Sequence, residues 1–382
     1  MKKLFHAFLL ITGLLLLNSP VLTWGQETSP LTRDPMRLLA PHKKYKIEWW
    51  YVTGFLKAPS GERMGFQGTF FRFATSYVHP PGLPDSPWEP REIVSFHGAI
   101  SFLGKKIFVS KEVTRRAFRS IAGTREDPFM VNVEENRLEA KQGSHSKDPV
   151  FSLTERVKGH LLTLSLRPET SLLWQDPTGR LKTGPGKNDW AWYYSYPDLA
   201  VSGTWTRERK SGKALDTPVT GQAWFDHEWT DSALGGDQIG WIWMWGRFKA
   251  PDGKKGFMMF QMIRKDGTLD SYKGGTLFHI TDHALKEEYV RGIGLRIDSL
   301  RFSEHEGACL PKEIVFHLDK FGTGRTTPYF IGQEINGSTD YWEGGAKMHL
   351  ESGKTIIDGR GYLEITGILK EKDLCLKLSE KS

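Results

Sequence analysis

Apolar and polar residues alternate in short runs along most of this chain, with Gly, Pro, Asn and Asp between the runs and little helical periodicity. The first strong run, Lys46–Leu56, is ring-rich and β-branched and predicts a strand; Ala58-Pro59-Ser60-Gly61-Glu62 turns it, and Gly65–Phe73 predicts the returning strand of a hairpin. The pattern comes back about 192 residues later, where Gly54, Lys57, Ala58, Pro59, Gly61 and Arg72 match Gly246, Lys249, Ala250, Pro251, Gly253 and Arg264 at one constant offset. Gly65 and Phe66 meet Gly256 and Phe257 after a one-residue shift. Two copies of one β-domain follow from this. Further strand-like runs lie between the copies, from Val94–Phe102 to Ala200–Thr206, and after the second hairpin, from Thr276–Ile280 to Asp373–Leu378. The pattern predicts an all-β protein of sandwiches or barrels. Gly235-Gly236 marks a boundary, giving domains of 26–232 and 233–382. Pro80–Pro87 is a loop long enough to act as a rim or lid.

The first 25 residues stand apart: Lys2 and Lys3, an apolar stretch from Phe8 to Leu17, and Thr23-Trp24-Gly25 at the end predict a secretory signal peptide. No other stretch is apolar for long enough to form a membrane helix, so the mature protein is expected to be secreted or periplasmic. The net charge of +7 includes Lys2 and Lys3, leaving 7 − 2 = +5 after signal removal, and the basic residues are interspersed with acids, which gives no footprint for nucleic acid. In an oxidising compartment the only two cysteines, Cys309 and Cys375, are expected to lie close enough to bridge. Composition changes the picture most through its rings: 14 Trp, 22 Phe and 11 Tyr exceed the needs of one core and suit an aromatic-walled cavity for a hydrophobic small-molecule ligand.

Candidate chemistry concentrates in Gly221–Asp231, where Asp226, His227 and Glu228 sit among Trp224, Phe225 and Trp229. Read as a strand, the run splits by its period of two. Trp224, Asp226 and Glu228 take one face; Ala223, Phe225, His227 and Trp229 take the other. Two carboxyls whose α-carbons lie about 6.5 to 7 Å apart, beside an indole, predict at least one raised pKa, and a carboxylic acid that keeps its proton near neutral pH is a useful catalyst. His227 is the candidate alternative base and would join the carboxyls only if a bulge turned it. Glu48 shares a face with Trp50 and is either a further acid or the partner of a buried Arg. Trp241 and Trp243 share one strand face. Tyr194 (in Tyr193–Pro197) and Tyr341 and Glu343 (in Asp340–Gly345) join rings to polar groups, so with Trp50, Trp224 and Trp229 they are the candidate substrate-binding residues. Gly361–Glu364 reads as a structural strand. No His-Glu-x-x-His, Gly-x-Ser-x-Gly or P-loop is present, so no metal, cofactor or nucleotide is expected, and zinc at His227 would require ligands from distant parts of the chain.

Glu48-Trp49-Trp50-Tyr51, Trp224–Trp229, Tyr341–Gly344 and Gly361–Glu364 together resemble the recurring motifs of the carotenoid 1,2-hydratase (hydroxyneurosporene synthase) and AttH-like secreted hydrolase superfamily. The resemblance spans nearly the whole mature chain and implies two tandem lipocalin-like β-barrel domains. It also implies an enzyme that adds water to, or hydrolyses, a hydrophobic small molecule; the alternative is a non-catalytic lipocalin-like carrier. One departure is Gly240-Trp241-Ile242-Trp243, where many relatives read Gly-Trp-Asp-Trp; it leaves Asp226 and Glu228 as the nearby acids.

Overall fold

The computed structural model describes residues 34–380 except 77–81, 83, 85, 87, 90, 145–146, 209–213, 304–306 and 353–354. The signal segment and most of the Pro80–Pro87 loop therefore lie outside the described residues. After a one-turn helix α1 (Pro35–Leu38) the chain is almost entirely strand. The first sheet takes β1 (Ile47–Lys57), β2 (Arg63–Ala74), β3 (Glu92–Phe102), β4 (Ile107–Arg116), β5 (Ala122–Arg125), β6 (Met130–Val133) and β7 (Asn136–Gln142). It continues with β8 (Pro149–Val157), β9 (His160–Pro168), β10 (Leu173–Trp174), β11 (Arg180–Lys182), β12 (Trp190–Arg207) and β13 (Leu215–Thr230). The second takes β14 (Gln238–Ala250), β15 (Gly253–Arg264), β16 (Leu269–Thr281), β17 (Ala284–Val290), β18 (Ile293–Ser303) and β19 (Ala308–Leu318). Then follow β20 (Gly322–Pro328), β21 (Glu334–Ile335), β22 (Tyr341–Ser352), β23 (Thr355–Thr366) and the helix α2 (Lys372–Glu380).

In each sheet the first strand pairs with both the second and the last, β1 with β2 and β13, β14 with β15 and β23. The sheets curl until their edges nearly meet, making two tandem lipocalin-like barrels. Side chains alternate accordingly. Trp50, Val52, Phe66, Phe70, Phe96, Leu153 and Phe225 fill the first barrel; Ile242, Met244, Phe257, Phe316 and Leu363 fill the second. A third cluster, including Tyr51, Phe55, Trp224, Trp243, Trp245, Phe260 and Tyr362, lies between the barrels. Burial on both faces explains why β1 and β14 read as near-continuous apolar runs rather than clean alternations.

The internal repeat has a packing cause. Gly54 faces Phe66 across β1 and β2, and Gly246 faces Phe257 across β14 and β15, the one-residue shift absorbed at the turn. A Cβ on Gly54 would lie 2.8 Å from the Phe66 ring, and one on Gly246 2.6 Å from that of Phe257, so each ring occupies the space a side chain would take at the glycine.

One expected element is different. Asp373–Leu378 forms the helix α2 instead of a strand, because Leu374, Cys375 and Leu378 make one apolar stripe against the second barrel while Leu376 is left exposed. Cys375 is disulfide-bonded to Cys309 on β19, with Cα atoms 5.7 Å apart, which fastens that helix to the barrel.

Candidate active site

The site begins with β13, whose register with β1 runs unbroken from Ile47 opposite Thr230 to Lys57 opposite Thr220. With no bulge, the period-two split holds: Trp224 and Asp226 join the seam between the barrels, while Phe225, His227 and Trp229 point into the first barrel. The candidate residues therefore form two clusters on opposite sides of one sheet.

The inner cluster holds Glu48, His227, Trp50, Tyr194 and Trp229, joined by His42 and Arg72. Glu48 is fully buried and accepts from His42 Nδ1 at 2.8 Å, His227 Nε2 at 2.9 Å and Arg72 Nε at 2.8 Å, and from the His42 backbone N–H. The hairpin register sets Glu48 directly opposite Arg72, whose other nitrogens bond Glu92 and the carbonyls of His42 and Tyr45. Burial would raise the Glu48 pKa, but the bonds from His227 and His42 outweigh it and hold the carboxyl far below its usual range. Burial lowers the His227 pKa to about 4 against the pull of Glu48, so its ring is neutral at pH 7. Tyr194 meets His227 Nδ1 at 3.2 Å, His42 stacks on Trp229 with centroids 3.8 Å apart, and Trp50 stacks on His227 while donating to the Leu39 carbonyl. His42, Glu48 and His227 offer ligand atoms within 4.8 Å of one another. A cation there would have to displace the protons between them and sit beside a guanidinium, so the donor set fits an ion pair better than a metal.

The seam cluster is built differently. Four carboxyls converge: Asp226 and Glu228 from β13, Glu343 from β22 and Glu364 from β23, the last two directly opposite each other. Asp226 accepts from Ser195 Oγ, from Trp224 Nε1 at 2.7 Å and from the Tyr193 hydroxyl, and Tyr193 is itself held by Trp243 Nε1 at 3.0 Å. Gln175 Nε2 donates to Ser195 Oγ at 2.6 Å. Tyr51 donates to Glu343, its ring edge-on to Trp243, and Trp241 Nε1 donates to Glu364 at 2.8 Å. Tyr341 lies on the Glu343 face of β22 with its hydroxyl 3.0 Å from His97 Nδ1.

Among the described residues no Lys, Arg or His forms an ion pair with any of these four carboxyls, and the electrostatics follow from that. Burial, opposed by its hydrogen bonds and reinforced by Glu364, raises the Asp226 pKa to about 7. Burial raises Glu364 to about 7 as well, against the bond from Trp241. Glu228 and Glu343 are pushed well above the carboxylate range, first by burial and then by neighbouring negative charge. Asp226 and Glu343 are 2% and 1% exposed, whereas Glu228, Glu364, Trp49 and Trp241 are partly open and form the solvent side of the cluster. Solvent screens the outer pair, so mutual repulsion is strongest at the inner pair, Asp226 and Glu343. Such a group of acids can hold one proton ready to give while a neighbour is ionised and ready to take.

Ile242 lies in the core of the second barrel, facing away from this cluster, so the residue that stands there does not change the number of acids in the seam. Glu364, read from the sequence as structural, is a member of the cluster; Tyr193 and Ser195 of the Tyr193–Pro197 run join it, whereas Tyr194 of that run faces the first barrel, and Tyr51 carries no site signal of its own in the sequence. The repeat carries the missing signal: Tyr51 pairs with Asp226 as Trp243 pairs with Glu364, so Glu364 is the second-barrel counterpart of Asp226.

The pattern of the AttH-like family matches residues 36–368. The chain belongs to the AttH-like family. A Nitrosomonas europaea protein assigned as an AttH (NE1406) shares its structure with a TM-score of 0.70 at 27% identity, over 92% of this chain and 99% of that one. Kievitone hydratase from Nectria haematococca has a TM-score of 0.64 at 14% identity, over 90% of this chain and 95% of that one, a likeness of fold. No curated protein sequence matches the chain. The AttH-like assignment agrees with the superfamily that the ring and acid motifs resemble.

Proposed function

We propose that this AttH-like protein is an exported enzyme that adds water to a hydrophobic small molecule at the carboxyl cluster between its barrels. The observation that carries the reading is four carboxyls without a cationic partner among the described residues, two of them with pKa values near 7. A protonated carboxyl transfers its proton to one carbon of a carbon–carbon double bond, and the indole faces of Trp241 and Trp243 stabilise the positive charge left on the other. Water attacks that carbon while an ionised neighbour takes the released proton, so a C–H and a C–O bond form and the acids end with the same number of protons. Hydrolysis of an ester by the same proton transfers is the second chemistry this set allows. Family membership and the hydratase name of one structural neighbour support hydration, and the absence of Gly-x-Ser-x-Gly weighs against a serine hydrolase. The basic and apolar first 25 residues and the Cys309–Cys375 bond support export.

Native mass spectrometry of protein purified from its own compartment identifies a retained ligand, and turnover of that ligand is then measured in Asp226→Asn and Glu343→Gln. Both substitutions keep shape and remove an acid; turnover should fall by ~10² to 10⁴ with folding and binding retained. Unchanged turnover in both removes the carboxyls from the chemistry, and a bound ligand that wild type never converts identifies a carrier.

A further inference from the structure

The three strands that carry Trp243, Glu364 and Glu343 of the second barrel carry a row of cations four residues further along. β14 and β23 set Arg247 directly opposite Arg360, and β23 and β22 set Arg360 directly opposite Lys347, so all three project from one face toward the first barrel. Trp243, Glu364 and Glu343 occupy the corresponding positions of the acidic row. At about 3.3 Å per residue the rows lie about 13 Å apart. Trp245 and Tyr362 fill the space between, stacked and buried. Like charges directly opposite each other destabilise a sheet, and here two such pairs share Arg360.

The first barrel adds charge of the same sign. Arg63, exposed at the start of β2, acts with burial to lower the Arg360 pKa, and both guanidiniums act on the Tyr329 phenol. Lys347 Nζ is 5.7 Å from the Tyr329 ring centre. Half-buried Arg360 lies 4.9 Å over Phe55 and donates to neutral Gln222 Oε1 at 3.1 Å. The carboxylates of this region are committed, Asp198 to Arg247 and Lys254, Asp358 to His349. Arg247 is 6% exposed, and its Nη2 has no hydrogen-bond partner. Among the described residues no carboxylate pairs with Arg63, Arg360 or Lys347.

We propose that this end of the seam binds a phosphate-type oxyanion, free or carried on a small ligand, at a site separate from the carboxyl cluster. Arg360 supplies a forked pair of donors, Arg63 and Lys347 supply charge from the open side, and the Tyr329 hydroxyl supplies a neutral donor. Because Arg63 belongs to the first sheet and Arg360 and Lys347 to the second, a bound dianion relieves the repulsion and ties the barrels together.

Isothermal titration calorimetry and melting temperature, read with inorganic phosphate and separately with phenyl phosphate at ionic strength held constant by NaCl, test the site. Saturable binding with a raised melting temperature is expected, and the arm that binds more tightly tells a free anion from one carried on a ligand. Arg360→Gln and Lys347→Gln should each weaken binding about tenfold or more. Without phosphate, Lys347→Gln should melt no lower than wild type, because it removes a repulsion. Asp226→Asn should leave phosphate binding unchanged, which keeps this site distinguishable from the proposed chemistry. No saturable heat in either arm with wild type, or binding undiminished in Lys347→Gln, overturns the proposal.

Discussion

Asp226 and His227 are adjacent in the chain and sit under opposite electrostatic rules. Inside the first barrel Glu48 is fully buried and still ionised, because Arg72 and two imidazoles satisfy both of its oxygens. On the other face of the same strand, Asp226 is equally buried and keeps its proton to about pH 7, because its donors are a hydroxyl, a phenol and an indole and its charged neighbours are other acids. Burial is common to both. The partner decides protonation.

The sharpest way to break that contrast is to remove the cation inside the barrel. Arg72→Met leaves the buried Glu48 charge uncompensated and should cost about 3 to 5 kcal/mol. Urea denaturation measures it, and a loss below about 1 kcal/mol would show that Glu48 does not depend on Arg72.

The two faces should also respond to pH with opposite sign. The folded pKa of Asp226 is raised, so between about pH 4 and 7 the folded state holds a proton that the unfolded chain has released, and stability falls as pH rises. The folded pKa of His227 is depressed, so the unfolded chain binds the extra proton between about 6.5 and 4, and stability falls as pH falls. At about 1.4 kcal/mol per pKa unit each window is worth a few kcal/mol. Urea midpoints of wild type and Asp226→Asn at pH 5 and pH 8 separate the two: the variant should gain on wild type at the higher pH, and parallel profiles would contradict the seam assignment.

A smaller effect sharpens the picture at the open side. Trp241→Phe removes the indole bond that opposes the upward shift of Glu364, so the pH–rate profile should move to higher pH with a stability change of about 1 kcal/mol or less. A shift to lower pH would mean that Trp241 does not restrain that proton.

Much of this was legible before any fold was in view. The period of two separated Asp226 from His227, and the constant offset placed the two hairpins. Strand pattern alone leaves Glu48 open between acid and ion-pair partner, although counting back through the 58–62 turn puts Arg72 directly opposite it. What local pattern could not supply was the docking of the barrels. Glu343 and Glu364 reach Asp226 only because two distant outer faces pack together, and strand periodicity carries no record of which face meets which. The last helix is hidden for a plainer reason, since Leu374, Leu376 and Leu378 alternate like a strand while the disulfide and the Cys375–Leu378 stripe select a helix.

The protonation of the seam itself is the most direct test of the account. Difference infrared spectroscopy between wild type and Asp226→Asn, followed from pH 5 to pH 9, reads the C=O stretch of protonated carboxyls. A band present at pH 6, fading as pH rises through about 7 and diminished in Asp226→Asn, is the expected result. A wild-type spectrum without a protonated-carboxyl band at pH 6, or one whose band is the same in Asp226→Asn, would contradict a proton held between the barrels for chemistry.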